Sequence, residues 1–154
     1  LGVIQHIDQD DTALIQLWRQ VYDAIPLPKR ATAGSAGYDF HMPYSIAFRS
    51  DASVTIPTGI RAKIEPGWML ALFPRSGLGF KYGMCLKNTV GIIDSDYYSA
   101  ANEGHIMAKI DVDDNFVCNE GERFMQGILI PYGVAANDAP ITVERKGGFG
   151  STGA

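Results

Sequence analysis

Residues 104–131 read GHIMAKIDVDDNFVCNEGERFMQGILIP. Within them three runs, 104–111, 116–118 and 123–131, are rich in Ile, Val, Met and Phe and are separated by clusters of Asp, Asn and Gly. Short runs of that kind, bounded by residues that turn the chain, read as β-strands. The same texture extends upstream through 45–48, 53–58, 59–64, 68–74, 84–89 and 91–93, and downstream to 141–143. Turn signals recur every eight to twelve residues or about that, which predicts an all-β sandwich or barrel.

Two segments break the pattern. Leu14, Leu17, Trp18, Val21, Tyr22 and Ile25 recur at helical spacing after Asp10-Asp11-Thr12, a group suited to capping a helix and to its dipole, so a short N-terminal helix is expected. Ser76-Gly77-Leu78-Gly79, within 75–83, predicts one helical turn between strands. The organisation expected is a single domain over 1–154: a helical extension, 1–26, a β core, 27–144, and an arm, 145–154. The arm is glycine-rich, with Phe149 as its one bulky apolar side chain, so it is expected to stay disordered until something binds.

The 154 residues are 46% hydrophobic and 19% charged, which excludes a disordered chain, a collagen or a coiled coil. Thirteen basic residues against 17 acidic ones leave a net charge of −4, without a Lys/Arg block, so no nucleic-acid partner is expected. The longest apolar stretch, 68–73, is far too short to span a bilayer, and the acidic start lacks a cationic leader; the expectation is a cytoplasmic protein with no membrane partner. Cys85 and Cys118 lie in apolar contexts without metal-ligand spacing and are expected to be reduced core residues.

Five segments carry groups suited to chemistry. Ala36-Gly37-Tyr38-Asp39-Phe40 sets a carboxylate between two aromatics beside small residues that let the backbone turn tightly, and taken alone it reads as a turn. Pro74-Arg75-Ser76-Gly77 joins a guanidinium, a hydroxyl and a freed backbone at a strand-to-helix junction, a common way to hold an anion; a plain polar helix start is the alternative. Ser76 lacks the elbow and triad context of a hydrolytic nucleophile. Residues 86–97, LKNTVGIIDSDY, read as two short strands joined by a tight Thr89-Val90-Gly91 corner. The backbone of such a hairpin, from Gly91 to Ile93, can imitate the edge of a partner base, and Asn88 adds an amide. Asp94 and Asp96 follow directly, either aimed at what the hairpin holds or simply as loop acids. Gly121-Glu122-Arg123-Phe124-Met125-Gln126 opens a strand with polar Arg123 and Gln126 among apolar neighbours; Arg123 is read as structural. The arm lacks the order of a Walker A loop, yet Gly150 and its neighbours can wrap phosphates with backbone N–H groups while Phe149 stacks on a base.

Taken together and in this order, these segments resemble the five motifs of the trimeric dUTP diphosphatase (dUTPase) family, from about Leu27 to the C-terminus. The longer loop Tyr98-Ser99-Ala100-Ala101-Asn102-Glu103-Gly104, where the family commonly has Arg-Gly, resembles members from Gram-positive bacteria and their phages. The resemblance implies a jelly-roll-like β subunit and hydrolysis of dUTP to dUMP and pyrophosphate. It makes Asp94 the catalytic base for water, and Tyr97 the ring under the deoxyribose that excludes a 2′-hydroxyl. Asn88 with the Gly91 and Ile93 backbone would read uracil. Arg75, Ser76, Gly77 and Gln126 would hold the substrate, with Arg75, Ser76 and Gly77 supplied by a neighbouring subunit. Arg145, Ser151 and Thr152 would close on the γ-phosphate, with Gly150 beside them and Phe149 on uracil. Asp39 would reach Mg²⁺ through water. The partners implied are dUTP and two further copies of the chain in a homotrimer with shared sites. The alternatives are a related dCTP deaminase and a nucleotide-gated interaction protein with a regulatory protein partner.

Overall fold

Helix α1, Thr12–Ala24, opens the computed structural model, which describes residues 12–139 together with Arg145 and Gly147. It forms where the apolar spacing predicts it, but none of its residues is buried. The helix rides on the β core. Trp18 meets Tyr44 edge to face at 6.0 Å, and Tyr22 and Ile25 lie against Gly59, where a Cβ would stand 2.5 Å from Ile25 Cδ1.

Ten short strands follow: β1 (Lys29–Arg30), β2 (Tyr38–His41), β3 (Ile46–Phe48), β4 (Val54–Pro57), β5 (Trp68–Pro74), β6 (Cys85–Leu86), β7 (Gly91–Ile93), β8 (Met107–Asp111), β9 (Phe116–Cys118) and β10 (Arg123–Pro131). Helix α2, Ser76–Tyr82, follows β5 and ends at Gly83, whose φ of 63° suits glycine. A 3₁₀ turn, Ser95–Ser99, follows β7. The strands form a five-stranded sheet in the order β1-β2-β10-β5-β7, a three-stranded sheet β4-β8-β6 and a pair β3-β9. Every pairing is antiparallel. Phe40, Leu72, Ile93, Ile110 and Phe124 from several sheets meet in one buried cluster. Along β8, Ala108 and Ile110 turn in while Lys109 turns out, the period-two pattern of a half-buried strand. The fold is the expected jelly-roll type of β architecture.

Several expectations need correction. Residues 59–64 form no strand: the Gly59 N–H donates to the His105 ring, the Ile60 N–H to Thr58 Oγ1, and the Ile60 carbonyl accepts from Ile106 N–H, which uses their polar groups singly. Strands β1 and β2 and the 3₁₀ turn were not expected. The strand expected over 84–89 shrinks to β6. It does not pair with β7 as a hairpin, because β6 joins β8 and β7 joins β5. The corner between them is still tight: the Val90 N–H donates to the Asn88 carbonyl at 2.7 Å around Thr89, whose φ is 67°. The strand expected from residue 104 begins at Met107, since Gly104 has a φ of 72°. Both cysteines are free, but only Cys118 is buried; Cys85 is exposed on β6. Residues 141–143 and arm residues 146 and 148–154 lie outside the described residues. Among the described residues no helix is long and apolar enough to cross a membrane.

Candidate active site

Asp39 sits on β2, opposite Gln126 of β10. The register of β10 shifts between Arg123 and Met125, and Arg123 Nη1 lies 3.0 Å from Asp39 Oδ2. Arg75 leaves the end of β5, its N–H donating to the Phe124 carbonyl, and its Nε lies 3.5 Å from Asp39 Oδ1. A carboxylate only 8% exposed thus faces two guanidiniums, leaving local positive charge. Gly37 makes room for Gln126, since a Cβ there would fall 2.5 Å from Gln126 Oε1. Ser35, Gly37, Asp39, Arg75, Ser76 and Gln126 line a cleft of about 270 Å³. Residues singled out from three distant segments therefore meet: Asp39, Arg75, Ser76 and Gln126. Gly77 lines a neighbouring cleft of about 550 Å³ with His41, Lys81 and Arg123. Burial pushes the His41 pKa below its usual value, against the pull of Asp39, and its Nδ1 has no partner among the described residues.

A second cluster forms where β7 ends. Asp94, with its side chain 48% exposed, receives Arg145 Nη2 at 2.5 Å, and Arg145 Nε reaches Asp96 Oδ1 at 2.9 Å. The same guanidinium lies 5.5 Å from the centre of the Tyr97 ring. Tyr97 is buried, and burial raises its pKa. Its hydroxyl donates to the His105 carbonyl and accepts from Asn102 Nδ2. Arg145, expected on a γ-phosphate, here holds Asp94 and Asp96 of its own chain. An anion that draws Arg145 away would free the Asp94 carboxylate.

Asn88 stands exposed at the corner, in a cleft of about 350 Å³ shared with Thr55, Lys87, Met107 and Lys109. Gly91 packs against Leu72, where a Cβ would stand 3.0 Å from Leu72 Cβ. Ile93 is buried in the core, so only its backbone could serve a ligand. Strand β7 ends the sheet order, and one edge of its backbone faces no strand among the described residues. Phe149, Gly150, Ser151 and Thr152 lie outside the described residues.

The two clusters are far apart in one chain. Asp39 pairs with Gln126, Gln126 with Phe73, and Leu70 with Ile93. Three strand spacings of about 4.8 Å and three residues of about 3.3 Å set Asp39 and Ile93 roughly 17 Å apart.

For a metal, the donor set is sparse: the described residues hold no group of three or more His, Cys, Asp or Glu side chains arranged for one. Asp39 already faces two guanidiniums, an arrangement that favours an anion, so a hydrated Mg²⁺ would reach this carboxylate only together with phosphates that neutralise both cations. Sequence reading missed Asn102, His105 and the Arg145–Asp96 pair; an Asn and a His in a loop carry no spacing signal.

A family profile described as dUTPase matches residues 23–153. The deoxyuridine 5'-triphosphate nucleotidohydrolase of Lactococcus lactis is 42% identical over 134 residues, covering 84% of this chain and 89% of that protein. The enzyme of the same name from Dinoroseobacter shibae is 34% identical and covers 91% and 97%. Among solved structures, the dUTPase of Streptococcus mutans is 40% identical with a TM-score of 0.64, covering 71% of this chain and 88% of that one. The dUTPase of Staphylococcus bacteriophage 80alpha, at 18% identity and a TM-score of 0.63 over 78% and 92%, shares the fold.

Proposed function

The chain belongs to the dUTPase family, and from that premise we propose that it hydrolyses dUTP to dUMP and pyrophosphate by in-line attack of water on the α-phosphorus. Asp94 accepts the proton of that water at a carboxylate oxygen. Arg75, Ser76, Gly77 and Gln126 hold the phosphates, and Arg145 moves from Asp94 to the substrate, joined by Ser151 and Thr152, as the negative charge arrives. Asn88 and the Gly91 and Ile93 backbone read uracil, Phe149 and Gly150 cover it, and Tyr97 lies under the deoxyribose. Asp39 would hold a bound Mg²⁺ through water, and the ion would supply charge neutralisation for the departing pyrophosphate. Orientation of water and phosphate supplies much of the rate.

The observation that carries this reading is the Arg145–Asp94–Asp96 arrangement beside Tyr97: a base and an aromatic floor on one turn of chain, met by a displaceable phosphate-binding cation from 51 residues away. The spacing across the sheet supports a site shared between subunits of a homotrimer, because adjacent phosphates of one nucleotide do not reach both clusters of the same chain. The test is a panel of dUTP, dTTP, dCTP and UTP with pyrophosphate and ammonia readouts, with and without Mg²⁺. Pyrophosphate from dUTP alone is expected; ammonia from dCTP would replace hydrolysis by deamination.

A further inference from the structure

The loop after Tyr97 folds back on it. Asn102 Nδ2 donates to the Tyr97 hydroxyl at 2.7 Å and to the His105 carbonyl at 3.2 Å, and the hydroxyl donates to that carbonyl at 2.8 Å. Because the amide nitrogen faces a carbonyl, the donor end of Asn102 is the end directed at Tyr97. Its Oδ1 is buried and has no partner among the described residues. The hydrogen bonds of the amide thus run through Nδ2, to the Tyr97 hydroxyl and to the carbonyl that the hydroxyl itself bonds.

The partners of the hydroxyl are themselves braced. Gly104, at a φ of 72°, lies where a Cβ would stand 2.7 Å from Tyr98 Cα and 2.9 Å from the Tyr97 carbonyl oxygen, both backbone, so only glycine lets the loop close. Arg61 Nη2 donates to the Tyr98 carbonyl at 2.7 Å while its guanidinium lies 3.6 Å from the centre of the Tyr98 ring. On the far side, the Gly59 N–H donates to His105 Nε2 at 3.0 Å. A tyrosine held by packing alone can tilt, but one tied at its far end to a braced loop keeps its height.

We propose that Asn102 is a positioning residue for sugar selection, fixing the Tyr97 hydroxyl so that the ring stays where a 2′-hydroxyl has no room. The inference rests on the reading of Tyr97 as the floor of the deoxyribose. It gives the 98–104 segment a role in specificity and leaves the base and phosphate contacts to other residues.

The experiment measures kcat/KM for dUTP and UTP with the full chain. Asn102→Ala is expected to lower the dUTP-to-UTP ratio about tenfold, chiefly by improving UTP, because a pocket that yields slightly loses that order of discrimination. Tyr97→Phe, which also gives up the hydroxyl's bond to the His105 carbonyl, should lower the ratio at least as far, and the double variant should be no worse than Tyr97→Phe alone, since Asn102 acts through that hydroxyl. If Asn102→Ala does not fold, Asn102→Leu keeps the bulk, removes the donor without offering the Tyr97 hydroxyl a new acceptor, and should show the same fall. Parallel loss of both substrates at constant ratio, in whichever of the two folds, would overturn the proposal, as would an additive double variant. If Tyr97→Ala leaves the ratio unchanged, the floor reading itself fails and the Asn102 role falls with it; if Tyr97→Ala lowers the ratio and the Asn102 variants do not, only the Asn102 role fails.

Discussion

Arg145 covers the carboxylate proposed to take the proton of water, so the state of Asp94 depends on what else attracts that guanidinium. Replacing Asp94 by Asn keeps the shape and removes the acceptor. Nucleotide binding by calorimetry should stay within about tenfold, or about 1.4 kcal/mol, while single-turnover pyrophosphate release falls by about 10² or more. Weak binding with intact chemistry would remove Asp94 from the role. His105 makes a separate prediction. Burial lowers its pKa from 6.5 to about 4, and its Nε2 accepts the Gly59 N–H, which only the neutral ring can do. The unfolded chain then holds the proton more tightly, so this contribution to stability is complete above pH 6.5 and drains as pH falls toward about 4. Its full size is of order 3 kcal/mol. Urea melts at pH 7.5 and pH 5 should show a smaller loss for His105→Gln than for the parent, because glutamine offers an acceptor and does not titrate. Equal losses would assign the effect elsewhere. Arg75 and Ser76 were legible because their segment's local chemistry already suggests an anion, whereas Asp39 and Gln126 were singled out only through the family resemblance. The pairing of Arg145 with Asp94, 51 residues apart, was not legible, since nothing local announces a contact that only folding creates.

At the level of elements, β5, β7, β9 and β10 appear with the expected bounds, because unbroken apolar runs between turn residues leave little choice of period. Strand β2 was read as a turn. Its leading Gly and Ala residues mask a four-residue strand that β10 pairs from 84 residues away. The corner between β6 and β7 carries the clearest local strain: Thr89, a β-branched residue, is held at a φ of 67°. Such a residue costs about 1–2 kcal/mol there. Thr89→Gly should relieve part of it, offset by the freer unfolded chain, for a net gain of about 0.5–1 kcal/mol in thermal unfolding. The same variant should discriminate dUTP from dTTP less well, because a slack corner admits a 5-methyl group. Unchanged stability would show that the corner is not strained by Thr89.

For the whole molecule, the distance of roughly 17 Å between Asp39 and the end of β7 sets the main test. Arg75→Gln and Asp94→Asn should each be nearly inactive, yet refolding them together should restore about a quarter of the sites if every site takes Arg75 from one subunit and Asp94 from another. Sites built within one chain would leave the mixture as inactive as its parents after proven subunit exchange. This arrangement between copies was open to sequence reading only through the family resemblance, since composition and periodicity say nothing about which chain supplies which group. Helix α1, by contrast, was legible as a helix and not as a surface layer, because its stripe of apolar residues looks the same whether it meets a core or a shallow groove. The two thiols lend the molecule to optical study. Cys118 is buried and burial pushes its pKa up to about 12, whereas Cys85 is exposed on the strand that leads into Asn88. A maleimide dye would thus select one sulfur without mutagenesis and stand as a spectator at the corner, its emission reporting arrivals and departures there in real time.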